Sequence, residues 1–295
     1  MIGDSYNLAQ FGELELAIRE LRGYWKLWSA CLLRSVGLST PRGLIVTRAH
    51  DSLERDLHKF LRDIGAASAL IRHDRRKEAP PYPRGGFLVP QAELLQVIQS
   101  FLSDTRIVAV YEPLNRLQNG HNLNLLFRSA DEVLVEVAGP GFDASNLQRG
   151  DITPHEILTV QITSSGFAEK ISVVHRTTDE EYRRSVTVRI DKLREFPKFS
   201  EEDSSGEQLR YHLMRTQTYQ PISRDLIKKT LVEIVSSGFI QRFIELTGVG
   251  LPINISTSYV DRGERQIFWD AMAPSLKFEG LIPSTDPTIA RSKAR

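Results

Sequence analysis

The 295 residues and 33.4 kDa suffice for about two average domains, which excludes a small scaffold dependent on disulfides or metal staples. Hydrophobic residues make up 41% and charged residues 25%, and 38 basic against 37 acidic side chains leave a net charge of +1. That composition excludes both a wholly disordered chain and a strongly basic polyanion binder. The single cysteine, Cys31, supports neither an internal disulfide nor a cysteine-based zinc site, so a reducing cytosol is the expected compartment.

No apolar run approaches the roughly 20 residues of a membrane helix. Met1-Ile2-Gly3-Asp4-Ser5 has neither a basic start nor an apolar stretch, so the expectation is a cytoplasmic protein without a membrane partner. From Leu8 to Val36 apolar residues recur at helical spacing, predicting one long helix or a broken pair that stops at Gly37. A turn over Gly37-Leu38-Ser39-Thr40-Pro41-Arg42-Gly43 leads into a β-branched run, Leu44-Ile45-Val46-Thr47, and residues 52–64 form a second amphipathic helix. Ala69-Leu70-Ile71-Arg72 reads as a buried strand that opens onto a charged, proline-rich loop ending at Gly85-Gly86.

Gln91 to Leu102 is helical, and three strands follow over Arg106–Tyr111, Asn122–Arg128 and Glu132–Val137. Gly139-Pro140-Gly141 breaks the last of them, and residues 157–162, 170–176 and 182–190 add sheet. Residues 196–208 are polar and acidic, as a linker or mobile loop would be. A helix over Arg224–Thr247, strands at Ile253–Val260 and Arg265–Trp269, and a polar tail from Pro283 complete the chain. The mixture predicts an α+β fold in two lobes, with mixed or antiparallel sheets and flanking helices.

Several chemistries find no support. The seven histidines include no HExxH and no helical i, i+4 pair, and G-x-S-x-G, Walker A and G-x-G-x-x-G motifs are all missing. Cys31 sits in an apolar helix, where a packed thiol is the expectation. Arg72, Arg75, Arg76, Lys77 and Arg84 beside Gly85-Gly86 are different, since cationic side chains next to open backbone amides suit a polyphosphate. The plainer alternative is a solvated charged loop. Glu112, Glu136 and Asp270 each end or enter an apolar strand, where a charge is costly unless paired, bound to a cation or facing a cleft. Glu112 is a candidate for an adenine amino group or a cation, and Glu136 and Asp270 are candidates for magnesium. The alternative for each is an edge carboxylate facing water.

The order of these landmarks resembles the N-terminal nucleotide-binding domain of phosphoenolpyruvate synthase and pyruvate phosphate dikinase, in the ATP-grasp superfamily. Lys26 followed by Gly37-Leu38-Ser39-Thr40-Pro41-Arg42-Gly43-Leu44-Ile45-Val46-Thr47 is similar to that family's lysine and glycine-proline turn. Ala69–Arg72 resembles the strand with a phosphate-contacting arginine, the loop ending at Gly85-Gly86 its mobile glycine loop, and Val108–Glu112 its adenine hinge. Val133–Phe142 with Gly150-Asp151-Ile152-Thr153-Pro154, and then Asn254–Val260 and Gln266–Pro274, resemble its later strands. By spacing the family's metal-binding glutamate falls on Ser258 and its glutamine on Asp270, and residues 163–220 have no counterpart.

The resemblance implies an N-terminal lobe over 1–105 and a C-terminal lobe over 106–282, with Mg-ATP between the lobes, and the polar composition of 283–295 implies a disordered tail. Lys26, Arg72, Arg84, Gly85 and Gly86 would meet phosphates, with Lys26 and Arg72 catalytic; Glu112 would meet adenine, and Glu136 and Asp270 would hold Mg2+. The implied activity is phosphoryl transfer or ligation on an acceptor that the sequence does not name, making the chain a transferase or a ligase. The alternative is a catalytically degenerate relative acting as a protein-interaction subunit, which Ser258 favours. Nucleic-acid binding through residues 72–84 is the least supported, because the chain as a whole carries almost no net charge.

Overall fold

Apolar runs of period two become two antiparallel sheets, and the stretches of helical period supply their cover. The structure, a computed structural model, describes residues 3–75, 86–102, 106–114, 120–139, 154–181, 221–260 and 265–273, and the chain divides into two compact units. The expected strand at 182–190, the segment at 196–208 and the tail at 283–295 lie outside the described residues.

The first unit carries β1 (Ser5–Asn7), α1 (Phe11–Glu20), α2 (Trp25–Ser35), β2 (Gly43–Val46), α3 (Leu53–Ile64), β3 (Ser68–Arg75), β4 (Gly86–Pro90), α4 (Gln91–Leu102) and β5 (Arg106–Tyr111). Its five strands run in the order β1-β2-β5-β3-β4, every neighbouring pair antiparallel. β5, expected from the sequence in the C-terminal lobe, is hydrogen-bonded between β2 and β3 and falls in the first unit, one of whose segments is Thr40–Leu114.

Strand alternation gives this sheet two covered faces. Leu44, Val46, Ala69, Ile71, Val108 and Val110 pack against Leu53, Leu57, Leu61, Leu94, Ile98 and Phe101 of α3 and α4. Residues of the other parity, Ile45, Leu70, Ile107 and Ala109, are also buried, and Asp74, of that parity on β3, meets the start of α2. The N-terminal helical stretch is a broken pair, α1 and α2, joined where Trp28 Nε1 donates to the Ile18 carbonyl at 2.8 Å.

Cys31 lies on α2 with no exposed surface, and burial pushes its thiol up to about 12 against the opposing pull of Arg34. The thiolate is the reactive form. A disulfide reagent at pH 8 is therefore expected to leave the native protein unlabelled and to label it stoichiometrically once unfolded. Fast, complete labelling of the native protein would contradict the buried setting.

The second unit holds β6 (Asn122–Phe127), β7 (Glu132–Ala138), β8 (Glu156–Ile162), β9 (Ala168–Arg176), α5 (Arg224–Ser236), α6 (Phe239–Thr247), β10 (Ile253–Val260) and β11 (Arg265–Met272). The strand order is β11-β10-β6-β7-β8-β9, antiparallel throughout. The expected single helix over 224–247 is two, parted at Gly238, whose φ of 72° no ordinary helical residue adopts.

Odd-numbered residues of β10 face α5: Tyr259 and Thr230 share a hydroxyl–hydroxyl bond, and Gln266 Nε2 donates to Thr230 and to Thr257 at 3.0 and 3.1 Å. Leu123, Leu125, Val133, Val135, Val137, Ile253 and Ile255 share their parity and are fully buried. The β8–β9 turn meets the same helix at Gly166 (φ +82°), where an added Cβ would stand 2.9 Å from the Leu231 carbonyl oxygen.

Candidate functional site

In the first unit Asp74 ties the start of α2, where Lys26 lies, to β3, which carries Arg72. The first turn of a helix presents amides without intrahelical partners. Here Asp74 Oδ2 accepts from the Lys26 and Leu27 amides at 2.7 and 3.2 Å, a long-range cap from β3 onto α2. The Lys26 side chain is exposed, and half-buried Arg72 sits two residues before Asp74 on the same side of the strand. The backbone of Gly86 pairs with Arg72 across β3 and β4, whereas Arg84 and Gly85 lie outside the described residues.

Glu112 is at the far end of β5. Asp74 is opposite Ile107, and five residues of strand, roughly 17 Å, separate that point from Glu112. The Glu112 carboxylate accepts from the Arg42 amide at 3.0 Å and from Arg42 Nε at 3.1 Å, while its own amide donates to the Arg42 carbonyl. This pair fastens the turn before β2, and with Arg42 half exposed it contributes modestly to stability.

The second unit holds the denser polar array. On the face of its sheet away from α5, the register lines up Asp270, Ser256, Asn124 and Glu136 in one row across β11, β10, β6 and β7. Ser258 and Asn122 lie side by side in the adjacent row, and Asn254 is two residues before Ser256. All seven are buried, none more than 5% exposed. Leu126, Leu134 and Ile157 form an apolar cluster on the same face. Polar side chains in this density are costly to bury unless their hydrogen bonds are met.

Two chains of hydrogen bonds fix which way the asparagines point. The Trp269 indole can only donate, and it donates to Ser258 Oγ at 2.7 Å. The one proton of Ser258 then goes to Asn122 Oδ1, leaving Asn122 Nδ2 without a hydrogen-bond partner among the described residues. Asn124 Nδ2 donates to Glu136 Oε2 at 2.9 Å, which leaves Asn124 Oδ1 without one. Both amide atoms of Asn254 are likewise unmatched. Trp269 reaches this face through a bulge: the β10–β11 pairing slips between Ser256 and Thr257, so β11 spends one residue more than its partner.

Beside this array, Pro154 and His155 lead into β8. The Gly139 amide donates to His155 Nδ1 at 2.9 Å, and burial, with His121 adding to it and Glu156 opposing it, lowers the imidazole to about 3. Glu156, with no exposed surface, accepts from the guanidinium groups of both Arg176 and Arg224. That ion pair anchors the start of α5 to β8.

Hard divalent cations take oxygen ligands. The Glu136 carboxylate and the unmatched Asn124 Oδ1 are neighbours across β6 and β7 and fit such an ion. Asp270 is three strand spacings from Glu136, roughly 14 Å, a longer gap than two side chains and two metal–oxygen bonds span. The two predicted metal candidates therefore share a row but not one ion, and Ser258 is committed to Trp269 and Asn122. Among the described residues no three His, Cys, Asp or Glu side chains gather as a metal cluster.

Sequence reasoning missed Asn122, Asn124, Asn254, Ser256 and Trp269. The signal was there in Asn122-Leu123-Asn124-Leu125 and Ile253-Asn254-Ile255-Ser256, where every second residue is polar.

No protein-family model matches the sequence, and no curated protein does. Among solved structures the chain is similar to a D-cycloserine synthetase, at 11% identity over 96% of this chain and 77% of that one, with a TM-score of 0.43. It is similar to D-alanyl-alanine synthetase A from Vibrio cholerae, at 10% identity over 96% and 67%, TM-score 0.43. It is also similar to the D-alanine–D-alanine ligase of Bacillus anthracis, at 12% identity over 99% and 66%, TM-score 0.40. Scores this low bear on neither activity nor substrate.

Proposed function

We propose that the chain is an ATP-dependent enzyme of ATP-grasp type, joining a carboxylate to an acceptor or transferring a phosphoryl group. One observation carries this reading: the buried row of Asp270, Ser256, Asn124 and Glu136, with unmatched amide atoms beside two carboxylates. Such a face offers oxygen ligands to a cation and N–H donors to the oxygens of a polyphosphate. The order of landmarks in the sequence supports the same reading.

In it, Glu136 and Asn124 hold Mg2+ and Asp270 meets a second cation or a polar group of the substrate. Magnesium, when bound, neutralises phosphate charge. Lys26 and Arg72 are the phosphate contacts of the first unit, together with Arg84, Gly85 and Gly86 of its loop, and Glu112 is the contact for adenine. Positioning and charge neutralisation then supply most of the acceleration. The place of action is the cytoplasm.

Calorimetric titration of the full chain with Mg-ATP tests the proposal. The wild type is expected to bind, and Glu136→Gln, which keeps an oxygen for the Asn124 amide, to bind at least about tenfold more weakly, equivalent to about 1.4 kcal/mol. Folded wild-type protein that takes up no Mg-ATP would overturn the reading and leave the interaction subunit in its place.

A further inference from the structure

Resting on that reading of the polar face, we infer that Asn122 is a binding residue for an anionic oxygen, a phosphoryl or carboxylate oxygen of the ligand, and that Trp269 and Ser258 position it for this task. The inference starts from proton inventory. An indole N–H has no acceptor capacity, so Ser258 Oγ receives that bond and its single proton leaves in the other direction. Asn122 Oδ1 is the recipient. The amide orientation is thus dictated by the relay, and two N–H protons of Asn122 Nδ2 are delivered to a place where no described residue accepts them.

A fully buried donor in that state is costly. Two residues on, Asn124 presents the opposite polarity, an unmatched carbonyl oxygen tethered to Glu136. Along β6 the face therefore reads donor at 122 and acceptor at 124, one strand repeat or roughly 7 Å apart. An oxyanion beside its counter-cation satisfies both positions, whereas a group without an acceptor lone pair at Asn122 satisfies neither proton, and charge on the accepting oxygen strengthens the bond. Ser258, at the position where the resembled family would carry an acid, thus serves an amide instead of a metal.

Three full-chain variants separate the roles. Asn122→Asp keeps an oxygen for Ser258 but replaces the donor pair with a carboxylate oxygen. It is expected to weaken binding of magnesium tripolyphosphate and of Mg-ATP by at least about tenfold in calorimetry. Ser258→Ala and Trp269→Phe remove the relay, free the amide to flip, and are expected to weaken both probes by a smaller factor while the wild-type fold persists by circular dichroism. Should Asn122→Asp fail to fold, the wild type answers alone: the 15N-labelled Asn122 side-chain amide is expected to shift when either probe is added.

Equal affinity of wild type and Asn122→Asp for Mg-ATP, or an unmoved Asn122 amide in the complex, overturns the inference, shows that only buried water meets that donor, and leaves the proposed function standing. Binding of tripolyphosphate that Asn122→Asp abolishes, without any ATP binding, supports the inference and defeats the nucleotide reading. Failure of the folded wild type to bind either probe overturns both.

Discussion

Between pH 6.5 and about 3, His155 alone is expected to remove up to about 1.4 kcal/mol of stability per pH unit. Its Nδ1 accepts the Gly139 amide, so protonation would turn an N–H against an N–H inside a site with almost no exposed surface. The unfolded imidazole takes its proton near 6.5, whereas the folded one resists until about 3. In that window the unfolded state binds more protons, and stability therefore rises with pH and is lost on acidification. Above 6.5 both forms are neutral and the effect vanishes. Urea midpoints measured from pH 7 down to 5, above the ordinary carboxylate range, check this. His155→Gln retains an acceptor for Gly139 without the titrating ring, and its midpoint should stay flat where the wild type falls. Parallel decline of the two proteins would exclude His155 as the cause.

Gly166→Ala is expected to cost about 3 kcal/mol. The left-handed backbone at φ +82° penalises any side chain by roughly 1–2 kcal/mol. The added Cβ would also stand 2.9 Å from both the Leu231 carbonyl oxygen and Val235 Cβ. A backbone atom of a packed helix does not move aside cheaply, and overpacking of this kind adds about 1–3 kcal/mol. Gly37→Ala provides the internal standard, because its φ of +86° is similar and nothing lies within 4 Å of the new Cβ. Chemical denaturation should place the Gly166 variant about 2 kcal/mol below the Gly37 variant. Equal losses would mean that the β8–β9 turn does not press on α5.

Much of the architecture was legible because local pattern and tertiary role agree. Gln91–Leu102 and Asn122–Phe127 carry unambiguous periods, and the structure forms a helix and a strand there. Ser5–Asn7 escaped notice because three residues contain no period, and β1 exists through its pairing with β2. The 224–247 stretch keeps helical period across Ser237-Gly238, so only the left-handed glycine reveals two helices. Gly86 read as the end of a loop, although its backbone starts β4, because a glycine says nothing about a distant strand that will pair with it.

The candidate site was harder to read for a physical reason. Charges announce themselves in apolar strands, and so Glu112, Glu136 and Asp270 were visible; what each one touches is decided by residues far away in the chain. Arg42 claims Glu112 from 70 positions away, and Asp74 caps a helix 47 and 48 residues earlier. Asparagine and serine carry no charge to betray them, yet they outnumber the acids on the polar face.

The surplus residue on β11 also bears on how this chain could have been shaped by insertions. Phe268 pairs with Thr257 and Asp270 with Ser256, so Trp269 is the member that the ladder does not count. A gene lacking only that codon would still encode an aspartate opposite Ser256, whereas losing a codon from the middle of the regularly paired part of either strand would exchange its polar side for its apolar one. An indole at this spot is consequently an addition that heredity can make or unmake without redrawing the sheet.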